Sequence, residues 1–220
     1  MKERKTVVIL GLGIFGSTLA RDLSKYNFDV IAVDHNMSCV ERVSSLVSNA
    51  VCLDFTDLEQ LKAIGVADAD IGIVTSSSML EEAIMGILNL KELGVPRIIA
   101  KAKNSRHSEV LKKVGADTTI SPEKEVAKTF AKKLVSKDIL DLFDIDHDYS
   151  IFDIKLPTNW ANKTLIELDL RNKFNVNVVG VRRNNKLIVN FNPNEKLMLE
   201  DEILIIGEND LFKKYDELVK

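Results

Sequence analysis

The feature that most constrains the fold is a glycine-spaced segment near the start of the chain, VVILGLGIFGSTLARDLSKYNFDVIAVD, residues 7–34. Gly11, Gly13 and Gly16 follow an apolar run and precede a stretch with helical periodicity. A second apolar run ends on Asp34. This order predicts a strand, a tight turn, a helix and a second parallel strand, the opening unit of a nucleotide-binding α/β sheet.

Each residue of this motif has its own physical role. Gly11 allows the tight turn, Gly13 lets the backbone approach a pyrophosphate, and Gly16 lets the helix pack closely on the strand. The helix N-terminus offers unpaired N–H groups to phosphates. Asp34 can accept hydrogen bonds from both ribose hydroxyls and disfavours a 2′-phosphate, so NADP is not expected. NAD, ATP, ADP and AMP remain open, and so does a fold of this type with an empty crevice.

The alternation of elements predicts the fold class and the domains. Strand-like runs alternate with helical stretches through residues 1–120, which indicates a Rossmann-like, doubly wound parallel sheet of the α/β class. Residues 121–148 contain a crossover helix beginning near Ser121, followed by a connector. Residues 149–220 have the pattern of a small α+β domain of order βαβββα, ending in the helical segment ENDLFKKYDELVK.

Composition excludes several classes of protein. The 220 residues carry a net charge of −3, which gives no strong field for nucleic acid or anionic lipid. No apolar stretch reaches the roughly 18 residues that a membrane-spanning helix needs, and no signal peptide is expected. Cys39 and Cys52 lack metal-ligand spacing and fit a reducing compartment. We therefore expect a cytoplasmic protein without a nucleic-acid partner.

The sequence offers no convincing reaction centre. His35, His107 and His147 are the only histidines, and none is predicted at the end of a central strand beside a carboxylate. Hydroxyls at Thr75 and at serines 76–78 follow the fourth strand and could contact phosphate or ribose, or cap the next helix. We expect a binding protein rather than an enzyme. An NAD-dependent oxidoreductase stays as the alternative, whereas a DNA-binding repressor would need a basic recognition helix.

These segments together resemble the RCK family, the regulators of K⁺ conductance, and in particular the cytoplasmic subunits of bacterial Ktr/Trk potassium-uptake systems. The resemblance rests on VVILGLGIFGSTLARDL, VIAVDHN, GVADADIGIVTSSS, RIIAKAKNSRHSEVLKKVGADTTISPEKE and TLIELDLRNKFNVNVVGV, in that order. It implies a homo-oligomer of RCK dimers, an octameric ring in the family. The ring docks on a membrane-embedded potassium transporter subunit at the inner face of the membrane. It also implies that ATP, ADP or NAD(H) binds the N-terminal domain.

The resemblance assigns nucleotide-site residues one by one. Ktr-type members usually carry an arginine where this chain has Ile14, which leaves open whether ATP/ADP or NAD(H) is the ligand. Lys101 could supply a cationic side chain instead. Glu123 matches a position near the phosphates of a neighbouring subunit, where it can help to hold a divalent or monovalent cation, or it complements the helix dipole. The full set of expected contacts is Gly11, Gly13, Ile14, Phe15, Gly16, Asp34, Asp54, Thr75, Lys101 and Glu123.

A second pattern lies in the C-terminal domain. It consists of two aliphatic residues, an aspartate, an arginine, an asparagine and two further aliphatic residues, and it resembles the cyclic di-AMP site of Ktr-type domains. The matching residues are Leu165, Ile166, Asp169, Arg171, Asn177, Val178 and Val179, with Pro193 at a further contact position. The resemblance implies Arg171 on the phosphates and the aliphatic residues against the adenines. A surface Asp–Arg pair in a dimerisation module is the alternative.

Self-association is expected through apolar side chains of the N-terminal domain and the crossover segment. Some of these side chains are expected to belong to the core instead. The candidates are Met79, Ile84, Leu88, Phe130, Ile139, Leu140 and Phe143.

Overall fold

The computed structural model describes residues 4–76, 79–135 and 138–209. The chain divides into two compact units, Met1–Pro122 and Glu123–Lys220. Within the described residues, each unit has its own sheet and its own hydrophobic core.

The first unit is built on a parallel sheet whose strand order is β3-β2-β1-β4-β5-β6. The order reverses between β1 and β4, so a crevice is expected beyond the carboxyl ends of these two strands. The strands are β1 Thr6–Leu10, β2 Asp29–Asp34, β3 Asn49–Cys52, β4 Ile71–Val74, β5 Ile98–Lys101 and β6 Thr118–Ile120. The helices are α1 Ile14–Lys25, α2 Met37–Glu41, α3 Leu58–Ala63, α4 Leu80–Glu92 and α5 Ser105–Val114.

Apolar residues cover both faces of this sheet. Along β1, Val8 and Leu10 belong to one buried cluster, whereas Val7 and Ile9 belong to another. Successive side chains of a strand point to opposite faces, so a strand buried on both faces is apolar throughout. The predicted Rossmann-like, doubly wound parallel sheet is confirmed.

Helix α2 is shorter than the sequence predicts. The periodicity indicates a helix from residue 37 to residue 46, but α2 ends at Glu41. The side chain of Asn36 accepts a hydrogen bond from the Ser38 N–H and begins the helix. Beyond its end, the Ser44 hydroxyl donates to the Glu41 carbonyl. Serine side chains compete in this way with the helical ladder, which favours turns over further helix.

The second unit begins with most of the crossover helix, α6 Pro122–Val135. Its antiparallel sheet has the order β10-β9-β11-β8-β7. The elements are β7 Ile139–Asp144, β8 Tyr149–Lys155, α7 Leu165–Leu168, α8 Leu170–Phe174, β9 Asn177–Arg183, β10 Lys186–Ile188 and β11 Glu202–Glu208. The small α+β domain is confirmed, and the predicted terminal helix lies largely outside the described residues.

The predicted connector is instead a strand of this sheet. Residues 139–144 form β7, which pairs with β8, and Ile139 and Leu142 are buried in the second core. A register shift between Ile139 and Asp141 interrupts the alternation of apolar and polar residues. A bulge of this kind hides the two-residue period by which a strand is predicted.

Two backbone turns shape the second unit. The periodicity of TLIELDLRNKF, residues 164–174, predicts one helix. The structure instead has two short helices there, because Asp169 lies in the left-handed region with φ 48°. Asn184 and Asn185 join β9 to β10, and both have positive φ values. Two successive positive φ angles are those of a type I′ hairpin turn, which asparagine tolerates well.

Four of the seven apolar candidates for self-association have exposed side chains. Ile139 is instead 4% exposed in the second core, Ile84 packs against the first core, and Leu140 is partly buried. The exposed four are Met79, Leu88, Phe130 and Phe143.

Candidate functional site

The glycine-rich loop connects β1 to α1 at the carboxyl ends of the parallel strands. Gly11 has φ +100°, a value that side chains rarely permit, and its N–H donates to the Val33 carbonyl at 2.8 Å. A Cβ at Gly16 would clash with the Gly11 carbonyl oxygen and lie 2.7 Å from Thr75 Oγ1. The turn at Gly11 and the close approach at Gly16 therefore both require glycine.

Gly13 has a different role, because a Cβ at this position would meet no heavy atom within 4 Å. It has φ −62° and caps α1, so neither backbone strain nor packing requires a glycine here. The first-turn N–H groups of a helix have no partners within it. The open space at Gly13, in front of the N-terminus of the twelve-residue helix α1, can therefore accommodate a phosphate group. We call this space the open cradle.

Asp34 is 8% exposed and holds the loop in place. Its Oδ2 accepts a hydrogen bond from the Leu12 N–H at 2.6 Å, and its Oδ1 accepts one from the Asn36 N–H at 2.8 Å. A carboxylate has about four lone-pair positions, so two remain for further donors. The position at the end of β2 suits a ribose contact, and the carboxylate also fixes the backbone that faces the phosphates.

Thr75 and Ser76 follow β4 and use their hydroxyl protons within the protein. Thr75 is buried, and its Oγ1 donates to the Gly11 carbonyl at 2.7 Å. Ser76 Oγ donates to Glu82 Oε2 at 2.6 Å. These contacts favour a structural role for both side chains. Ser77 and Ser78, named as possible phosphate contacts, lie outside the described residues.

The remaining predicted contacts of the first unit lie near the loop or after β3. Ile14 is 91% exposed at the start of α1. Lys101 Nζ, at the end of β5, lies 5.8 Å from the centre of the Phe15 ring. Asp54 Oδ1 accepts hydrogen bonds from the N–H and the hydroxyl of Thr56, which orders the turn after β3.

One cationic side chain at the loop was missed by the sequence analysis. Arg42, just after α2, places Nη2 3.0 Å from Cys39 Sγ and 3.5 Å from the Leu12 carbonyl oxygen. It resembles any charged residue on a helix surface, so no sequence signal singles it out. The fold alone brings it to the loop.

The cation expected at Glu123 stays a prediction. Glu123 lies exposed in the first turn of α6. Among the described residues, no three histidine, cysteine, aspartate or glutamate side chains are grouped so that they could hold a metal ion.

The second pattern is brought together around α7, α8 and the start of β9. Arg171 Nε donates to Asn177 Oδ1 at 2.9 Å. The Ile166 N–H donates to the Pro193 carbonyl at 3.4 Å, and the Ile166 side chain is 58% exposed. Leu165 and Val178 pack against the second core. An exposed guanidinium and an exposed aliphatic side chain therefore lie at the surface of one small unit.

The predicted alternative of a surface Asp–Arg pair is not what forms. Asp169 Oδ1 accepts a hydrogen bond from Asn172 Nδ2 at 2.7 Å, and Arg171 is paired with Asn177. No ion pair joins Asp169 to Arg171 in the part of the chain that the structure describes. Asp169 lies in the left-handed turn between α7 and α8, whereas Arg171 lies within α8.

A buried ion pair in the second unit has no place in the predicted sites. Arg183 binds Asp201 through two hydrogen bonds, Nε to Oδ1 at 2.8 Å and Nη2 to Oδ2 at 2.7 Å. Burial alone favours the neutral carboxyl, but the hydrogen bonds from Arg183 and from the Met198 N–H hold the pKa of Asp201 below its usual value. The pair stabilises the turn that leads into β11.

Two family models match the chain along these same units. The TrkA-N domain model matches residues 7–122, and the TrkA-C domain model matches residues 149–220. Over residues 4–76, 79–135 and 138–209, no helix is both long and apolar enough to cross a membrane.

Curated relatives are similar over almost the whole chain. The chain is 33% identical over 216 residues to the Ktr system potassium uptake protein C of Bacillus subtilis (strain 168), with 98% of each chain covered. It is 28% identical over 214 residues to the Ktr system potassium uptake protein A of the same strain, covering 97% of this chain and 96% of the relative.

Solved structures share the fold at lower identity. The crystal structure of the GsuK RCK domain has a TM-score of 0.65 at 21% identity, covering 99% of this chain and 48% of that one. The GsuK channel bound to NAD has a TM-score of 0.62 at 20% identity, covering 100% and 40%. This chain thus spans about half or less of these GsuK chains. The chain belongs to the RCK family, with a TrkA-N domain followed by a TrkA-C domain.

Proposed function

We propose that this protein is a nucleotide-gated regulatory subunit of a potassium-uptake system. It binds ATP, ADP or NAD(H) in the first unit and cyclic di-AMP in the second, and it controls a membrane-embedded potassium transporter subunit. The observation that carries the proposal is the loop between β1 and α1, where Gly13 leaves an open cradle and Asp34 fixes the backbone beside it. The Ktr-system relatives support the link to potassium uptake.

The nucleotide is proposed as a signal rather than a substrate. Asp34 and the α1 N-terminus account for binding of the adenosine ribose and the phosphates. His35 Nδ1 lies 3.9 Å from Asp34 Oδ1 at the rim of the loop, and its side chain is 69% exposed. His107 lies in the first turn of a polar helix, α5. If the protein were an oxidoreductase, it should oxidise NADH in the presence of at least one of a panel of carbonyl compounds. A regulatory subunit should bind NADH without oxidising it.

Which adenine nucleotide binds is tested by calorimetry with ATP, ADP, NAD and NADH. GsuK has been solved bound to NAD and bound to ADP, so ligands of both kinds are included. A cation at Glu123 predicts that Mg²⁺ or K⁺ strengthens ATP binding, and that Glu123→Gln removes this dependence. ATP affinity that is identical with and without these ions contradicts the cation site.

Cyclic di-AMP binding is proposed from the surface formed by Ile166, Arg171, Asn177 and Pro193. Arg171 engages only its Nε within the described residues, which leaves its terminal nitrogens for phosphate oxygens. Exposed Ile166 offers an apolar surface for adenine. A two-fold ligand suits a site shared by two copies of the chain, because each half meets the same residues. The expected stoichiometry is one ligand per two chains.

A homo-oligomeric ring, octameric in the family, is proposed from the resemblance and from the surface of α6. Val126, Phe130 and Leu134 are 60–72% exposed and recur every four residues, which places them on one side of this helix. Light scattering at micromolar concentration is expected to give a multiple of the 24.6 kDa chain mass. Phe130→Ser is expected to lower that mass, whereas Thr129→Ser is not. A monomeric wild-type protein contradicts the ring.

The partner is proposed to be a membrane-embedded potassium transporter subunit, which places the protein at the cytoplasmic face of the membrane. Co-purification with a candidate subunit in the presence and absence of nucleotide tests this proposal. Nucleotide-dependent recovery of the two proteins together supports it. The proposal is contradicted if the protein co-purifies with none of the candidate subunits under any nucleotide condition.

A further inference from the structure

Arg42 is a cationic side chain at the glycine-rich loop without an assigned role. Its Nη2 lies 3.5 Å from the Leu12 carbonyl oxygen. That carbonyl belongs to the peptide bond whose nitrogen is that of Gly13, the N-cap of α1. The guanidinium therefore lies beside the residue that directly precedes Gly13 and its open cradle.

Over the part of the chain that the structure describes, the surroundings of Arg42 leave its charge uncompensated. The side chain is exposed, and no carboxylate of the described residues lies within ion-pair distance of it. Its two neighbours there are the Leu12 carbonyl and Cys39 Sγ, both approached by Nη2. A guanidinium has five N–H donors in a planar fork, so Nε and Nη1 are left to bind an anion.

The loop itself, residues 11–16, contains no cationic side chain. Its exposed position 14 is Ile14, which has no charge to offer. Lys101 approaches the ring of Phe15, on the other side of the loop, from the end of β5. Arg42 approaches Leu12 from α2, and the Leu12 N–H is bound by the carboxylate of Asp34. The Arg42 guanidinium and the proposed ribose contact thus both meet the loop at Leu12.

We propose that Arg42 binds the 5′-phosphate oxygens of the bound adenine nucleotide, at the phosphate nearest the ribose. This inference rests on the proposed nucleotide site. Because AMP, ADP, ATP and NAD all carry that phosphate, Arg42 contributes to the affinity of each and does not discriminate among them. Discrimination by terminal phosphates then has to come from other residues.

The test compares Arg42→Gln with wild-type protein by calorimetry, using AMP, ADP and NAD. Competition with adenosine against a bound fluorescent ADP analogue supplies the phosphate-free arm. Loss of one charge-assisted hydrogen-bonding group is expected to weaken the binding of AMP, ADP and NAD by about tenfold or more. The binding of adenosine is expected to stay unchanged. Arg97→Gln is the matched control, because Arg97 is exposed and directly precedes β5, away from the carboxyl ends of the strands where the loop lies.

Ionic strength supplies a second readout. Removing a phosphate contact is expected to make ADP binding less sensitive to salt in Arg42→Gln than in wild-type protein. The inference is overturned if Arg42→Gln binds AMP as tightly as wild-type protein, or loses adenosine and AMP equally. If NADP, added as a further ligand, is the only one that Arg42→Gln binds more weakly than wild-type protein, the inference is overturned and Arg42 is assigned to a 2′-phosphate instead. Wild-type protein that binds no adenine nucleotide overturns the proposed function itself, and this inference with it.

Discussion

The carboxylate of Asp34 accepts a hydrogen bond from the backbone N–H of Leu12 at 2.6 Å. The side chain expected to bind ribose therefore also fixes the loop that is expected to bind phosphate. Asp34→Ala should lower the affinity for ATP and ADP by about tenfold or more, because charge-assisted hydrogen bonds of about 1.5–3 kcal/mol each are lost. It should also lower the free energy of unfolding, because a buried N–H loses its partner.

Calorimetry and chemical denaturation measure these two effects of Asp34→Ala separately. Asp22→Ala is the control, since Asp22 lies on α1 in an exposed pair with Lys25. Nucleotide affinity that is unchanged in Asp34→Ala would remove Asp34 from the binding site and leave it a purely structural residue.

Gly13 and Gly16 form a matched pair with opposite expectations. An alanine Cβ at Gly16 would collide with the Gly11 carbonyl, so Gly16→Ala should lose about 1–3 kcal/mol of unfolding free energy through overpacking. Gly13→Ala meets open space at a permitted φ of −62° and should keep its stability. Gly13→Ala should nonetheless lose nucleotide affinity, because the new methyl group occupies the place of the phosphate. Full affinity in Gly13→Ala would contradict the placement of the phosphate at this loop.

Arg171 is expected to govern only the second ligand. Arg171→Ala should abolish cyclic di-AMP binding by the full chain, because the guanidinium positioned by Asn177 is lost, and should leave ATP binding intact. Lys186→Ala, an exposed cation on β10, is the control. Calorimetry at two temperatures avoids missing a reaction with little heat. Wild-type protein that shows neither heat nor a thermal shift with cyclic di-AMP would reduce this surface to a dimerisation candidate.

The ion pair of Asp201 and Arg183 should make the stability of the second unit depend on pH. The pKa of Asp201 is lowered in the folded protein. Its stabilisation is therefore fully present above the unfolded pKa of about 4 and is lost as the pH falls through the lower folded value. Asp201→Asn should lower the free energy of unfolding by about 2 kcal/mol at neutral pH. In this variant the free energy of unfolding should also fall less steeply as the pH is lowered.

Denaturation curves from neutral to acidic pH check this expectation, with Asp148→Asn, at an exposed residue of the same unit, as the comparison that should behave as wild type. If the free energy of unfolding falls as steeply with decreasing pH in Asp201→Asn as in wild-type protein, other carboxylates dominate acid unfolding.

The sequence predicts the first unit better than the second, for physical reasons. The strands of a sheet buried on both faces are uniformly apolar, and Gly11, Gly16 and Asp34 have steric and polar roles that residue type alone indicates. The strand β7 was missed because the register shift after Ile139 breaks its alternation. Arg42 was missed because its relation to Leu12 arises only when α2 packs beside β2 and β3.

The second site was predicted by resemblance and not by periodicity. The pairing of Arg171 with Asn177, in place of Asp169, depends on a left-handed residue between two short helices. Sequence spacing suggests that these residues are near one another but does not indicate which of them form hydrogen bonds.

The most direct test of the central claim is potassium uptake into vesicles containing a candidate transporter subunit, measured with and without this protein. A ligand can shift a regulator only through different affinities for its two states. The account predicts that uptake changes with ATP, ADP, NAD or NADH only when the protein is present, and that Asp34→Ala removes this response. Uptake that is the same with every nucleotide, with the candidate subunit shown to bind the protein, would contradict it.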